Sequence, residues 1–165
     1  MQCVLAVLVS TLALAAAPGH IGEEAPDFAL PPAVSGTNVR LSEYRGQAVI
    51  VSFWSSRCSR CAAQLAALDR LYRTYRSAGL VVMAVSVDDD AQRAQNYARD
   101  HSVSYPLLLD TSKDVGRAFA IDRLPSTVLI DRSGVVRYLH SDDRVNDASY
   151  VTQIRALLDD DVDSP

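Results

Sequence analysis

The sequence predicts a layered α/β sandwich built on a mixed β-sheet. Three observations predict it. Two near-continuous apolar runs, Ala48–Trp54 and Leu80–Val87, have the length and composition of strands buried on both faces. After the first run, Leu65, Leu68, Tyr72 and Tyr75 recur at spacings of three and four, one apolar face of a helix. Strand-like and helix-like segments then keep alternating to the C-terminus, without an internal repeat or an inter-domain linker. Such alternation packs helices against a sheet.

The elements follow in order. Cys3 to Ala17 is an apolar run broken only by Ser10 and Thr11, shorter than the roughly 20 residues that span a bilayer. Ala13-Leu14-Ala15 and Ala15-Ala16-Ala17 both suit a signal peptidase, although Met1-Gln2 brings no lysine or arginine. Residues 1–17 are therefore expected to be a signal peptide or a short anchor. Residues 18–158, roughly the size of one ordinary domain, follow. Gly22 to Pro32 is extended and rich in turn residues, and Ser35-Gly36-Thr37-Asn38 reads as a hairpin turn between short strands. Leu41 to Gly46 is a single turn. The Ala48–Trp54 strand leads into a helix from about Ser56 to Ser77, stopped by Gly79.

After the Leu80–Val87 strand, Asp88-Asp89-Asp90 is expected to cap a helix from about Ala91 to Asp100. Pro106–Leu109 is a third short strand, and Asp110 or Thr111 caps a helix to about Ile121. Thr127–Asp131 and Val135–His140 flank Arg132-Ser133-Gly134, a hairpin connection. Asp147 begins a last helix with Val151, Ile154 and Leu158 on one face. Residues 159–165, with four aspartates, are expected to be a solvated acidic tail. The net charge of −4 argues against nucleic acid as a partner.

Cys58-Ser59-Arg60-Cys61 carries the chemistry. The two thiols stand where a strand ends and a helix begins. Unpaired N–H groups and the positive end of the helix dipole favour thiolate there. Thiolate is the form that attacks disulfides. A zinc site needs four ligands, yet the only other cysteine is Cys3, and His20, His101 and His140 show no ligand spacing. A c-type haem site needs a histidine where Ala62 stands. A purely structural bridge across so short a loop removes little chain entropy. Redox chemistry is the favoured reading. Arg57 and Arg60 add two cations beside Cys58, and adjacent cations lower a thiol pKa.

Four ordered segments resemble a known family. They are Ala25-Pro26-Asp27-Phe28-Ala29-Leu30, Leu41-Ser42-Glu43-Tyr44-Arg45-Gly46, Phe53-Trp54 ahead of Cys-x-x-Cys, and Leu124-Pro125-Ser126-Thr127 ahead of Val128-Leu129-Ile130-Asp131. The chain from about Gly22 to Leu158 is similar to TlpA/ResA-type thioredoxin-like thiol–disulfide oxidoreductases, which are exported or membrane-tethered. The resemblance implies a thioredoxin-like three-layer α/β sandwich with no cofactor beyond the thiols. It makes Cys58 the attacking cysteine, Cys61 the resolving one and Pro125 a cis-proline whose loop faces the disulfide, with Trp54 and Leu124 facing substrate. It also implies protein clients with cysteines or disulfides, a redox partner protein, and an extracytoplasmic, periplasmic setting, tethered if the leader stays uncleaved.

The chain departs from that pattern in four places. Arg57 replaces a tryptophan, and Ser59-Arg60 stand where a proline is common. Gln64 replaces an acid three residues after the second cysteine. Ser52 stands where thioredoxins proper keep an aspartate. Neither usual carboxylate is present to take the proton of Cys61, which leaves that to water or another group. Two alternatives share the fold. A copper(I) chaperone would use Cys58, Cys61 and His140, since soft thiolates suit copper(I), although such carriers usually space their cysteines by three residues. A peroxiredoxin-like peroxidase would find its serine at Ser55 but has Val51 where its proline belongs.

Overall fold

The computed structural model describes residues 20–142, 145 and 147–159. The expected leader (1–17) lies outside the described residues, as do 160–165 of the expected tail. Asp159 itself closes the last helix.

A small antiparallel pair, β1 (Ala29–Leu30) and β2 (Val39–Arg40), precedes the main sheet. The sheet contains β3 (Ala48–Trp54), β4 (Leu80–Ser86), β5 (Leu107–Leu109), β6 (Ser126–Ile130) and β7 (Val136–His140) in the order β5-β4-β3-β6-β7. β3, β4 and β5 run parallel, whereas β6 and β7 are antiparallel additions. The sheet is thus mixed, as expected.

Alternation within the apolar runs explains their continuity. Ala48, Ile50 and Trp54 of β3, with Leu80, Val82 and Ala84 of β4, belong to the core beneath α1 (Cys61–Tyr75), α2 (Ala91–Asp100) and α4 (Ala148–Asp159). Val49, Val51 and Phe53, with Met83 and Val85, belong to the opposite core, with Phe28, Leu41 and α3 (Asp114–Ala118). Helices and loops cover both faces, so every residue of β3 is buried. Two polar ties fix α1: the Tyr105 hydroxyl donates to the Leu65 carbonyl at 2.9 Å, and Asp69 accepts the Ser104 N–H at 2.6 Å. Leu68 has no exposed surface in this core. Leu68→Ala is expected to cost roughly 2–5 kcal/mol, read as a lowered urea midpoint at unchanged slope.

Several boundaries differ from expectation. The first helix begins at Cys61 and passes into a 3-10 turn at Arg76–Ala78 before Gly79, whose φ of +97° suits glycine. The expected helix over 110–121 shortens to α3, because Lys113 at its start and Ala120 beyond its end take positive φ. On α4 the fully buried face is Tyr150, Ile154 and Leu157, with Val151 and Leu158 half-buried at its margins. Gly134 (φ +87°) makes the hairpin between β6 and β7. Its N–H donates to the Asp131 carbonyl at 2.9 Å.

Candidate active site

Cys58 and Cys61 form a disulfide with their Cα atoms 5.4 Å apart. Cys61 opens α1 and has no exposed surface, whereas Cys58 is only half-buried in the turn ahead of it. The expected helix start near Ser56 is therefore corrected. Residues 55–60 form successive tight turns instead. The Cys58 N–H donates to the Ser55 carbonyl at 3.0 Å, and the Cys61 N–H to the Cys58 carbonyl at 3.1 Å. The Arg60 side chain makes no capping hydrogen bond to α1 among the described residues. The first N–H groups of α1, which lack intrahelical partners, lie at the dithiol.

The loop around Pro125 joins this end of the molecule. Pro125 is buried, and its bond to Leu124 is cis. The Ser126 hydroxyl closes the turn by donating to the Arg123 carbonyl at 2.7 Å. Arg60 reaches across from the dithiol turn, and its Nη2 donates to the Leu124 carbonyl at 3.3 Å. One of the two cations flanking Cys58 is thus engaged on a backbone carbonyl. Arg57 is exposed and has no salt bridge among the described residues. Leu124 is half-buried at this junction.

Trp54 does not face substrate. It lies on the central strand with no exposed surface, its ring stacked on Tyr97 of α2 at 5.0 Å between centroids. Its Nε1 has no hydrogen-bond partner among the described residues. Gln64 is also buried, on the α1 turn that follows Cys61. Its Oε1 meets the Ser52 hydroxyl of β3 at 3.5 Å, and its Nε2 has no hydrogen-bond partner among the described residues. The two positions at which a carboxylate is missing thus face each other across the helix–sheet interface.

Sequence reasoning missed Asp88. Of the three consecutive aspartates, Asp90 caps α2, accepting the Gln92 and Arg93 N–H groups at 3.0 and 3.2 Å. Asp88 is buried and turns toward the dithiol loop. It accepts the Ser56 N–H at 2.8 Å and the hydroxyls of Ser55, Ser56 and Ser86 at 2.8–2.9 Å. Burial alone would push its carboxyl up. Those hydrogen bonds outweigh the burial and hold it below the ordinary carboxylate range. The available signal was the position of Asp88 at the carboxyl end of a parallel strand, where open α/β sheets place their sites.

His140 is not brought to the cysteines. It ends β7, two strands away from β3, with Nε2 2.7 Å from Gln153 Oε1 and its ring against Tyr150. No group of three His, Cys, Asp or Glu side chains among the described residues could hold a metal ion. The ligand set of the copper alternative is therefore not assembled. No helix among the described residues is long and apolar enough to cross a membrane.

A mixed five-stranded sheet with a Cys-x-x-Cys at the start of its first long helix and a cis-proline loop beside it defines a thioredoxin-like dithiol protein. Comparison with known proteins agrees. The AhpC/TSA family model matches residues 21–139. ResA, a thiol-disulfide oxidoreductase of Geobacillus kaustophilus, is 32% identical over 119 residues, 72% of this chain and 68% of that protein. The fold superposes on a Chlorobium tepidum protein assigned as the thiol:disulfide interchange protein DsbE. The TM-score is 0.79 at 28% identity, over 84% of this chain and 98% of that one. The thioredoxin domain of a Bacteroides vulgatus thiol-disulfide oxidoreductase superposes with a TM-score of 0.72 at 23% identity, over 84% and 98% of the two chains. That match supports the fold alone. The chain belongs to the AhpC/TSA family and, within it, is a thiol–disulfide oxidoreductase of the TlpA/ResA type.

Proposed function

We propose that the protein works outside the cytoplasm, exchanging its Cys58–Cys61 disulfide with cysteines of exported clients. One observation carries the assignment of roles: Cys58 is partly accessible, and Cys61 is sealed beneath it. A client disulfide can reach only the Cys58 sulfur. In the reducing direction the Cys58 thiolate attacks one client sulfur. The client S–S bond breaks, one client thiolate leaves, and a mixed disulfide forms. Cys61 then loses its proton to water and attacks the Cys58 sulfur. The second client thiolate is released, and the intramolecular disulfide returns. The client gains two electrons, which a redox partner protein restores to the dithiol. The Pro125 loop, joined to the dithiol turn through Arg60, offers a surface for the client chain. The apolar leader supports export. Edman sequencing of protein recovered from the extracytoplasmic fraction tests it, and an intact Met1-Gln2 on soluble cytoplasmic protein would overturn it.

Activity is tested by catalysed reduction of a protein disulfide, with dithiothreitol as electron donor. No acceleration over dithiothreitol alone would overturn the function. Peroxide consumption by the reduced protein without disulfide exchange would support the peroxidase alternative.

The cations set an expected potential. Arg57, Arg60 and the α1 N-terminus all favour the Cys58 thiolate. Stabilising thiolate stabilises the reduced protein, so the pair should be more oxidising than thioredoxin, at about −270 mV. Each unit of pKa depression is worth roughly 30 mV until the thiolate is fully formed. The double variant Arg57→Ala/Arg60→Ala should shift the potential to more negative values in glutathione equilibration. Exposed charges are screened, so the shift should shrink at high salt. An unchanged potential would reduce both arginines to surface residues.

A further inference from the structure

We propose that Asp88 is the positioning residue of the dithiol loop: its buried carboxylate ties the Ser55–Ser56 turn to the end of β4 and so sets how Cys58 is presented to a client disulfide. The inference rests on the dithiol-exchange reading above.

Three of the four donors that reach Asp88 come from Ser55 and Ser56, immediately ahead of the dithiol turn. The fourth, the Ser86 hydroxyl, comes from the last residue of β4 and also accepts the Asp88 N–H at 3.2 Å. The carboxylate thus bridges the ends of two neighbouring strands, just past the point where the Val87 N–H donates to the Trp54 carbonyl at 2.9 Å. Ser55 relays the hold. Its hydroxyl donates to Asp88 while accepting the Arg57 N–H at 3.2 Å, and its carbonyl accepts the Cys58 N–H. The backbone that carries the Cys58 sulfur is therefore anchored one residue removed from a buried charge.

That charge has no salt bridge among the described residues. Its stabilisation comes from hydrogen bonds, and loop and carboxylate need each other. Both carboxylate oxygens already accept two donors each, so Asp88 is not the missing proton acceptor for Cys61. Its contribution is geometric. A displacement of about 1 Å at a reacting group can cost on the order of a hundredfold in rate.

The test is a double-mutant cycle on the rate of disulfide exchange, measured on the plateau of the pH–rate profile, where Cys58 is fully thiolate. Plateau rates report presentation of the sulfur rather than its ionisation. Asp88→Ala and Ser55→Ala should each slow the plateau rate roughly tenfold or more. Asp88→Asn should lie between Asp88→Ala and wild type, because its one acceptor oxygen can keep the Ser56 N–H while its amide NH2 stands where the Ser55 and Ser56 hydroxyls now donate. The variant carrying both alanines should be no slower than Asp88→Ala alone, since Ser55 acts through Asp88. Folding of each variant is checked by the fluorescence of Trp54, the sole tryptophan. If Asp88→Ala does not fold, Asp88→Asn and Ser55→Ala form the cycle. A folded Asp88→Asn with a plateau rate within twofold of wild type would overturn the proposal, as would additive losses. Wild-type protein without exchange activity would instead overturn the function reading, and this proposal with it.

Discussion

Cys61→Ser protein is expected to accumulate mixed disulfides with client proteins, visible as adducts on non-reducing gels, whereas Cys58→Ser protein forms none. Both variants should lose catalysed exchange by a factor on the order of a thousand or more, as is usual when the nucleophile of a covalent mechanism is removed. Burial makes the asymmetry. With Cys61 replaced, the Cys58 thiolate still meets a client sulfur, but nothing beneath it can attack the resulting bond. With Cys58 replaced, the Cys61 sulfur has no exposed surface, so no client can reach it. Adducts on Cys58→Ser protein would mean that the α1 terminus opens enough to expose Cys61, and the proposed roles would reverse.

The fold was legible in the sequence because its central strands bury both faces. β3 and β4 read as unbroken apolar runs, and the first helix declared itself by spacing alone. Edges were harder. α3 shortens at a lysine and an alanine with positive φ, backbone states that composition does not announce. The buried face of α4 sits one residue earlier than Val151 and Leu158 implied, because the Tyr150 hydroxyl reaches Thr127 at 3.1 Å and draws that side chain inward. Trp54 misled for a related reason. A tryptophan beside a dithiol suggests a contact surface, but the strand alternation places it in the core with Ile50, beneath Tyr97 of α2.

The site divided similarly. The dithiol and its proline loop were legible as motifs. The network that holds them was not, because it joins Ser55 to Asp88 across 33 positions of chain. Three consecutive aspartates before a helix have an ordinary explanation, and Asp90 satisfies it. Only the geometry shows that Asp88 serves a different element. The Ser52–Gln64 meeting was equally out of reach, since strand and helix register decide it together.

Gln64→Glu is the substitution expected to change the chemistry most without touching a thiol. Positions three apart on a helix are neighbours, so a carboxylate at 64 would sit beside Cys61. The site is buried, and desolvation disfavours the charged form, raising the carboxyl above its ordinary value of about 4.3. The helix N-terminus and the Ser52 hydroxyl pull the other way without cancelling a burial this complete. The stability sign follows. An acid whose folded pKa is raised loses stability as pH rises through the unfolded value, and the loss is complete above the folded value. The variant should therefore match wild type near pH 4 and be less stable at pH 8, by about 1.4 kcal/mol for each unit of elevation. Over the same range the carboxylate becomes able to accept the Cys61 proton. Resolution of a preformed mixed disulfide should then accelerate with a new apparent pKa, by a factor on the order of a hundred if general-base catalysis is fully expressed. Stopped-flow release of the client thiol and urea midpoints, both across pH 4–8, measure the two effects. A matching inflection in rate and stability would place the carboxylate at Cys61. Rate–pH profiles identical to wild type, alongside the stability loss, would mean that Gln64 is buried away from the sulfur, and that the Cys61 proton leaves by a route that position 64 does not touch.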